Sequence, residues 1–574
     1  MRMQAPERRY RLTRLRTEAA TGYFDALPEP APDFNDGLAR ARLNPYDEFL
    51  RKHLLRLIFS WEPTTLRRRV VEAPADDFFL RGLFFEACRL QPDFSMLLKL
   101  FPDRRQRRLA AFSPLVSVRA LQRKDQRLHS RWIELFRRNI RQHHHLPPPE
   151  QTGLAPPVAD ADIARAMAAP LPLEHCFEQF AGGDLPTRSC QVPADLEALA
   201  GDALLRLKEA GVQVGEEMRH EASLSPIALL RSWQVELAVD CGRHRYRLSG
   251  EQTSYGRGLE LAAARAACVM EIVERASSYA SIADDQVTGY AREYRLTRAR
   301  ASELAGRGVP YLDPNRLGLE APYLDAALYW LEGQTPTPAG MQPILVPAQS
   351  IFLFCNLDET KLFSALGSNG LGAGTNLAQA KCKALLELIE RDSEATIPFS
   401  PGRLFEIESE DPRIMRLLQQ YHQVGIQVGF MDITGPLGIP CCKCFVNHAD
   451  GTVSSGTAAH LTASQALISA LTETPYPFPY GPPSGPVPPP AVRVPIERLP
   501  DYDLGVPERN LALLEFLLSA NGFQPIYVEL TRRDLTFPVV RAIVPGLELT
   551  GDFDRFSRVH PRLYGNYLKD CAAS

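Results

Sequence analysis

Three stretches of this chain repeat one spacing, and that repeat limits the folds open to it. Alanine and glutamate stand seven residues apart at Ala264–Glu271, Ala380–Glu387 and Ala466–Glu473. Seven residues is about two helical turns, so each pair shares a helix face. The first two stretches also end alike, as EIVERASS and ELIERDSE. A second repeat pairs DITGPLGIPCCKCFV (432–446) with ELTRRDLTFPVVRAIV (529–544), each a strand, a turn and an apolar strand opened by proline. Recurring helix and strand units around one core point to an α/β or α+β fold.

The ExxER endings carry the chemistry. Glu271 and Glu274 lie three residues apart on one helix face, and Glu387 and Glu390 repeat that geometry. All four sit in otherwise apolar helices, where an unpaired carboxylate is costly to bury. Arg275 and Arg391 can each satisfy one carboxylate as a structural ion pair. Alternatively, the two pairs form a shared acidic cage. Together with phosphates such a cage suits Mg²⁺, which takes few carboxylates at once and keeps waters. Before the second helix runs SALGSNGLGAGTNLAQA, in which Gly367, Gly370, Gly372 and Gly374 permit close backbone approach to an anion, with a helix opening near Asn376. It is not a Walker A loop, since no GxxxxGK[ST] occurs. Arg257 lies between two glycines in YGRGLELA, where it either meets a phosphate or is merely exposed.

The rest of the chain frames these motifs. Its 574 residues allow about three domains. Residues 1–150 hold 29 Lys+Arg against 18 Asp+Glu, whereas 151–574 hold 36 against 50, so a net charge of -3 hides a basic first quarter. That quarter includes Arg67–Arg69 and RRQRR at 104–108. The clusters could meet nucleic acid or an acidic peptide, but no aromatic-rich nucleic-acid motif accompanies them, and solvated helix faces are the preferred reading. FLRKHLLRLIF (49–59), FFLRGLFFEACRL and the stretch around Trp132–Ile140 have helical periodicity. The expected organisation is a helical N-terminal domain over 1–150, an Ala/Pro-rich linker over 151–173 and a main domain over 174–574. His143–His145 read as a polar loop. The proline-rich stretch 481–495 reads as an internal loop, because proline lacks the backbone donor.

Eleven irregularly spaced cysteines argue for reduced, buried thiols. Cys441, Cys442 and Cys444 lack the second CxxC of a four-thiolate site, and Cys268 and Cys382 sit among Ala, Val and Leu; packing is the reading for all five. The opening MRMQAPERRYRLTRLR lacks a signal peptide's apolar core, and no run reaches the roughly 18 apolar residues of a membrane span. A cytoplasmic protein is expected.

The segments GRGLELAAARAACVMEIVER, SNGLGAGTNLAQAKCKALLELIERD and LTFPVVRAIVPGLE together resemble the YcaO family, over roughly residues 172 to 549. The resemblance implies an α+β, YcaO-like core of repeated helix and strand units, here with an extra mainly helical N-terminal domain. It implies an ATP- and Mg²⁺-dependent enzyme that phosphorylates a peptide backbone amide, for cyclodehydration or thioamidation of a ribosomally made peptide or protein. The alternative it implies is an accessory ATP-binding protein that assists methylthiolation of a ribosomal protein. A non-catalytic scaffold is the third reading, which the presence of all four ExxER carboxylates disfavours.

By the resemblance, Glu271, Glu274, Glu387 and Glu390 hold Mg²⁺. Ser368 and Asn369 contact ATP, with Arg257, Arg275, Arg391, Arg541 and the acidic pairs around it. Glu387, Glu390 and Glu473, the last in SALTET, are the catalytic candidates. Implied partners are the peptide or protein substrate and a leader-peptide-binding or sulfur-delivering protein (TfuA-like); a homodimer is allowed, and no nucleic acid or membrane is called for. Two departures stand out. Tyr476 occupies a position where relatives often carry Gln, and the C-terminus, LYGNYLKDCAAS, lacks the proline-rich ending of azoline-forming members. Residues 1–150, which the resemblance leaves uncovered, are expected to recruit the peptide or a partner.

Overall fold

The long hairpin that opens the core follows directly from alternation. Along Ile227–Cys241, Trp233, Val235, Leu237, Val239 and Cys241 are buried while residues between them face outward. A two-residue turn containing Gly242 (φ +63°) returns the chain as His244–Gly258, paired from Ile227↔Gly258 to Cys241↔His244. The structure, a computed structural model, describes residues 7–16, 22–181, 195–364, 366–489, 492–548 and 552–573. The first six residues of the opening, Ala365 of the glycine loop, Pro490 and Ala491 of the proline-rich stretch, Leu549 at the limit of the resemblance and the terminal Ser574 lie outside them.

Three sheets, largely antiparallel, are covered by helices in an α+β arrangement. The first has the order 22–28, 8–16, 244–258, 227–241, 281–283, 286–288, 294–295, with 218–219 on the flank of 227–241. The second runs 340–347, 328–337, 526–529, 539–543, 371–373, with 297–299 beside 328–337. The third runs 453–459, 441–447, 429–432, 404–408, 492–495. Each sheet supplies the strand that leads into one of the repeat helices. These are the first acidic helix, Leu261–Ser277, the second, Leu377–Thr396, and the third, Ala463–Glu473.

The alanine of the repeat packs helix onto strand. A Cβ on Gly256 would lie 1.9 Å from the Ala264 carbonyl oxygen, and one on Gly372 would lie 2.3 Å from that of Ala380. Only glycine permits so close an approach, which is the structural reason for the glycines in YGRGLELA and in the loop before the second helix. That second helix opens at Asn376, whose side chain accepts from the Gln379 N–H (2.8 Å) as an N-cap.

Two parts of the N-terminal half differ from the sequence expectation. Residues 34–142 are helical and enclose a core of their own around Leu54, Phe84 and Phe85. Arg8–Arg16 and Gly22–Pro28, however, form a hairpin whose first strand pairs in parallel with Tyr246–Ser249 of the first sheet. RRYRLTRLR alternates, and Tyr10 and Leu12 enter the main core. Asp47, from the helical part, pairs with Arg8 (2.5 Å) and accepts the Tyr10 hydroxyl (2.6 Å). The segment expected to be a linker contains the helix Asp160–Ala166, and Leu154, Val158 and Ile163 pack on Leu563 and Tyr564 of the last helix, Pro561–Ala573. Its apolar residues were hidden among alanines and prolines.

The remaining calls follow burial. Cys441, Cys442 and Cys444 are buried in the strand Cys441–Asn447. His143 caps the helix Gln126–Gln142 in the left-handed conformation and stacks on Phe399 (3.9 Å between centroids). Among the described residues of the proline-rich stretch, 481–489 hold no regular element and Val492–Pro495 form an edge strand. Among the described residues no helix is long and apolar enough to cross a membrane.

Candidate functional site

The three acidic helices and their strands close on one another in a ring. The first helix packs on 244–258 and also on 371–373. The second packs on 371–373 and on 453–459, and the third on 453–459 and on 244–258. Glutamates from all three helices therefore meet in one place. The first glutamate of each ExxER pair is held in the same way: Tyr255 N–H donates to Glu271 (2.7 Å), and Gly370 N–H donates to Glu387 (3.1 Å). The second of each pair is loaded electrostatically. Burial pushes Glu274 up to about 7, opposed by Arg275 and reinforced by Glu387 and Glu271. Burial likewise pushes Glu390 up to about 7, opposed by Arg391 and reinforced by Glu473 and Glu394. Glu387 and Glu473 are also raised, by burial and by their neighbouring carboxylates. Five carboxylates thus form one mutually repelling cluster, the arrangement functional sites use to perturb pKa values.

Cations offset part of this charge. Arg275 stands 3.6 Å from Glu271 and 3.7 Å from Glu274, and Arg391 stands 3.0 Å from Glu390 and 3.0 Å from Glu394. The ion-pair reading of the sequence is therefore correct for these arginines, yet it leaves the carboxylates in excess. Arg541, fully buried on the strand Val539–Ile543, gives both terminal nitrogens to the Gly367 carbonyl (3.1 and 3.2 Å). Its buried Nε has no partner, and burial pulls it down to about 10. Arg541 and Glu387 between them hold the glycine loop at both ends. In that loop Leu371 N–H closes a turn on the Ser368 carbonyl (2.9 Å), with Gly370 at φ +84° and Ser368 and Asn369 half-buried.

Arg257 lies over the Tyr255 ring (5.4 Å), and its buried Nε is unpartnered; its charge is felt at Glu473. Every site residue named from the sequence is thus in the cluster or in the loop tied to it. Sequence reasoning missed Lys383. It lies one turn before Glu387 on the second helix, makes no ion pair or hydrogen bond among the described residues, and is lowered by burial against the pull of Glu274. Lys383 and Glu473 both reach solvent although protein crowds them, which marks an open cleft at the cluster. The i−4 spacing to Glu387 was the available signal. Tyr476 is buried, with its hydroxyl donating to the Pro482 carbonyl (2.9 Å). Cys268 and Cys382 are buried, with their thiols pushed up to about 12, as packing residues should be.

The cluster suits a hydrated divalent cation and phosphates better than an all-protein metal cage. Among the described residues no three His, Cys, Asp or Glu side chains are gathered as ready-made metal ligands. Mg²⁺ asks only for one or two carboxylates, with substrate phosphates and waters completing the shell. The excess carboxylates, the unpartnered nitrogens of Arg257 and Arg541 and the uncommitted Lys383 fit that combination.

Residues 255–475 match the family model described as YcaO cyclodehydratase, ATP- and Mg²⁺-binding. An uncharacterized protein of Methanothermobacter thermautotrophicus is 28% identical over 332 residues, covering 51% of this chain and 81% of that one. Among solved structures, a heterocyclase in complex with substrate and cofactor superposes with a TM-score of 0.48 at 17% identity, over 64% of this chain and 54% of that chain. This chain therefore spans about half of that heterocyclase. YcaO from Methanopyrus kandleri, bound with AMPPCP and Mg²⁺, gives a TM-score of 0.42 at 20% identity, over 62% of this chain and 92% of that one. The matched segment contains the first two acidic helices whole, the glycine loop and Glu473, and over residues 255–475 the chain is similar to the YcaO family.

Proposed function

We propose that this chain binds ATP with Mg²⁺ and phosphorylates the oxygen of a peptide backbone amide, for cyclodehydration or thioamidation of a ribosomally made peptide or protein. The observation that carries the reading is the convergence of five carboxylates from three helices on a glycine loop, beside cations, Arg257, Arg541 and Lys383, that form no ion pair among the described residues. Residues 174–574 are the proposed ATP-binding domain.

An amide carbonyl is a poor electrophile. A nucleophile adds to it, the resulting oxygen takes a phosphoryl group, and phosphate then leaves. Bound Mg²⁺ would neutralise charge on the phosphates, and the second glutamates, Glu274 and Glu390, with Glu387 are the proposed ligands. Arg257, Arg541 and Lys383 supply positive charge toward the phosphates, and the glycine loop at Ser368 lies beside them. Glu473, facing solvent at the cleft and raised by burial, is the proposed proton acceptor from the incoming nucleophile. Cys268 and Cys382 are excluded as sulfur carriers by burial, so thioamidation would take sulfide from a partner. Exposed Arg67, Arg68, Arg104 and Arg107 support an acidic peptide or partner protein binding the N-terminal region.

Isothermal calorimetry with ATP and Mg²⁺ tests the nucleotide site, comparing wild type with the Glu387→Ala/Glu390→Ala double variant. Binding by wild type and none by the variant is expected, because the second acidic helix loses both of its proposed ligands. Binding by neither would make the ExxER pairs structural ion pairs. Mass spectrometry of candidate peptides then separates loss of water from exchange of oxygen for sulfur.

A further inference from the structure

We infer that Arg141 of the N-terminal region is a positioning residue for the acidic site, acting through Glu394 and Arg391 on Glu390. The inference rests on the proposed nucleotide site. Glu394 lies on the second acidic helix, one turn beyond Glu390, and its two oxygens are shared between two arginines. Oε1 meets Arg141 Nη1 at 2.5 Å, and Oε2 meets Arg391 Nη1 at 3.0 Å. The other terminal nitrogen of Arg391 meets Glu390 Oε1 at 3.0 Å. Thr457 closes the figure: its hydroxyl donates to Glu390 Oε1 (2.9 Å) and accepts from Arg391 Nη1 (3.4 Å). Arg141 and Glu394 are largely buried, so this is a fixed chain of contacts rather than a surface pair.

The helix that carries Arg141, Gln126–Gln142, is anchored where the second acidic helix ends. Asn139 exchanges two hydrogen bonds with the Phe399 backbone (2.8 and 3.0 Å). Lys443 Nζ donates to the Ile140 carbonyl (2.6 Å), and Trp132 and Phe136 pack with Tyr567 of the last helix. Arg141 is thereby delivered to Glu394 by residues on both sides. Without it, Glu394 keeps both oxygens for Arg391 three residues earlier on the same helix, and Arg391 is drawn off Glu390. The segment matched by the family begins at residue 255, so the geometry of this site depends on a residue outside it.

The test uses the full chain as wild type, Arg141→Ala, Arg141→Lys, Glu394→Gln and the Arg141→Ala/Glu394→Gln double variant. Mg²⁺–ATP affinity is read by calorimetry and ATP hydrolysis by phosphate release. Asn139→Ala serves as the control that loosens the same helix without touching the chain of contacts. Arg141→Ala should weaken binding about tenfold, Arg141→Lys should restore part of it, and the double variant should be no worse than the worse single one. Asn139→Ala should lower the melting temperature and leave affinity unchanged. Wild-type affinity in folded Arg141→Ala, additive losses in the double variant, or an equal loss in Asn139→Ala would each overturn the inference. Should Arg141→Ala fail to fold, Arg141→Lys against Asn139→Ala decides on the same readout. A wild type that takes up no Mg²⁺–ATP overturns the nucleotide site itself and this inference with it.

Discussion

Replacing Glu390 with glutamine should stabilise the ligand-free protein while removing its affinity for Mg²⁺–ATP. In the folded chain burial holds the Glu390 carboxyl at about 7, against an ordinary value of 4.5. A carboxyl raised in this way favours the fold most when protonated. Its contribution is present below about 4.5 and is lost as pH rises through about 7. At pH 8 the ionised form therefore costs on the order of 3 kcal/mol relative to the neutral one, and less to the extent that Glu473 takes up the relieved repulsion. Glutamine has the shape of the neutral acid. Its carbonyl oxygen can accept from Thr457 and Arg391 as Oε1 does, and its amide group donates toward the remaining carboxylates. Thermal unfolding of both proteins without nucleotide, at pH 8 and at pH 5.5, measures this. The variant should unfold at a higher temperature at pH 8, and the gap should narrow at pH 5.5, part of the way down to about 4.5, where it closes. Calorimetry on the same samples should show that the variant has lost Mg²⁺–ATP binding. A variant no more stable than wild type at pH 8, or equally favoured at both pH values, refutes the argument that the cluster is under electrostatic load.

Three further outcomes follow from the same geometry. Lys383→Ala should weaken Mg²⁺–ATP binding by at least about tenfold, the value of one charge-assisted contact, with no change in melting temperature, since the ammonium has no protein partner to lose. Gly372→Ala places a Cβ 2.3 Å from the Ala380 carbonyl and 2.8 Å from the Ala384 nitrogen, so the second helix must shift; a loss of roughly 3 kcal/mol in denaturant unfolding is expected. Glu394 is opposed by burial but held down at about 2 by Arg141, Arg391 and Lys443, so its stabilisation is present above about 4.5 and is lost as pH falls toward 2. Acid titration of Glu394→Gln, followed by circular dichroism, should lack that limb.

The site was more legible in the sequence than the domain boundaries were. The ExxER pairs repeat at fixed spacing from alanine, and local periodicity alone puts both glutamates of a pair on one face. Glu473 was marked by the seven-residue spacing from alanine, and Arg541 could be named only through the resemblance; the structure brings them in from a different helix and a different sheet. The hairpin 8–28 was missed although RRYRLTRLR alternates, because the helices after it dominated the composition of residues 1–150. The packed segment 151–173 was missed because Leu154, Val158 and Ile163 are too sparse to show a period. Arg141 could not be found at all: its partner is 253 residues away, and nothing local distinguishes it from the other arginines of its helix.

The ring of three helices also explains why the cluster opens where it does. The first two helices carry a pair of glutamates followed at once by an arginine, so Arg275 and Arg391 offset charge within their own sectors. The third helix ends at Glu473, and the next residues are Thr474, Pro475 and the buried Tyr476, with no arginine among them. Its sector is left with one solvent-facing carboxylate and, on the neighbouring strand, Arg257 without an ion pair. The first two sectors each set two glutamates against one ion-paired arginine, whereas the third has a single glutamate and no ion pair among the described residues. Solvent reaches the cluster at Glu473 and Lys383, and the proposed substrate would meet it there. Tyr476 belongs to this asymmetry: an aromatic residue turned into the core anchors the end of the third helix beside the solvent-facing Glu473.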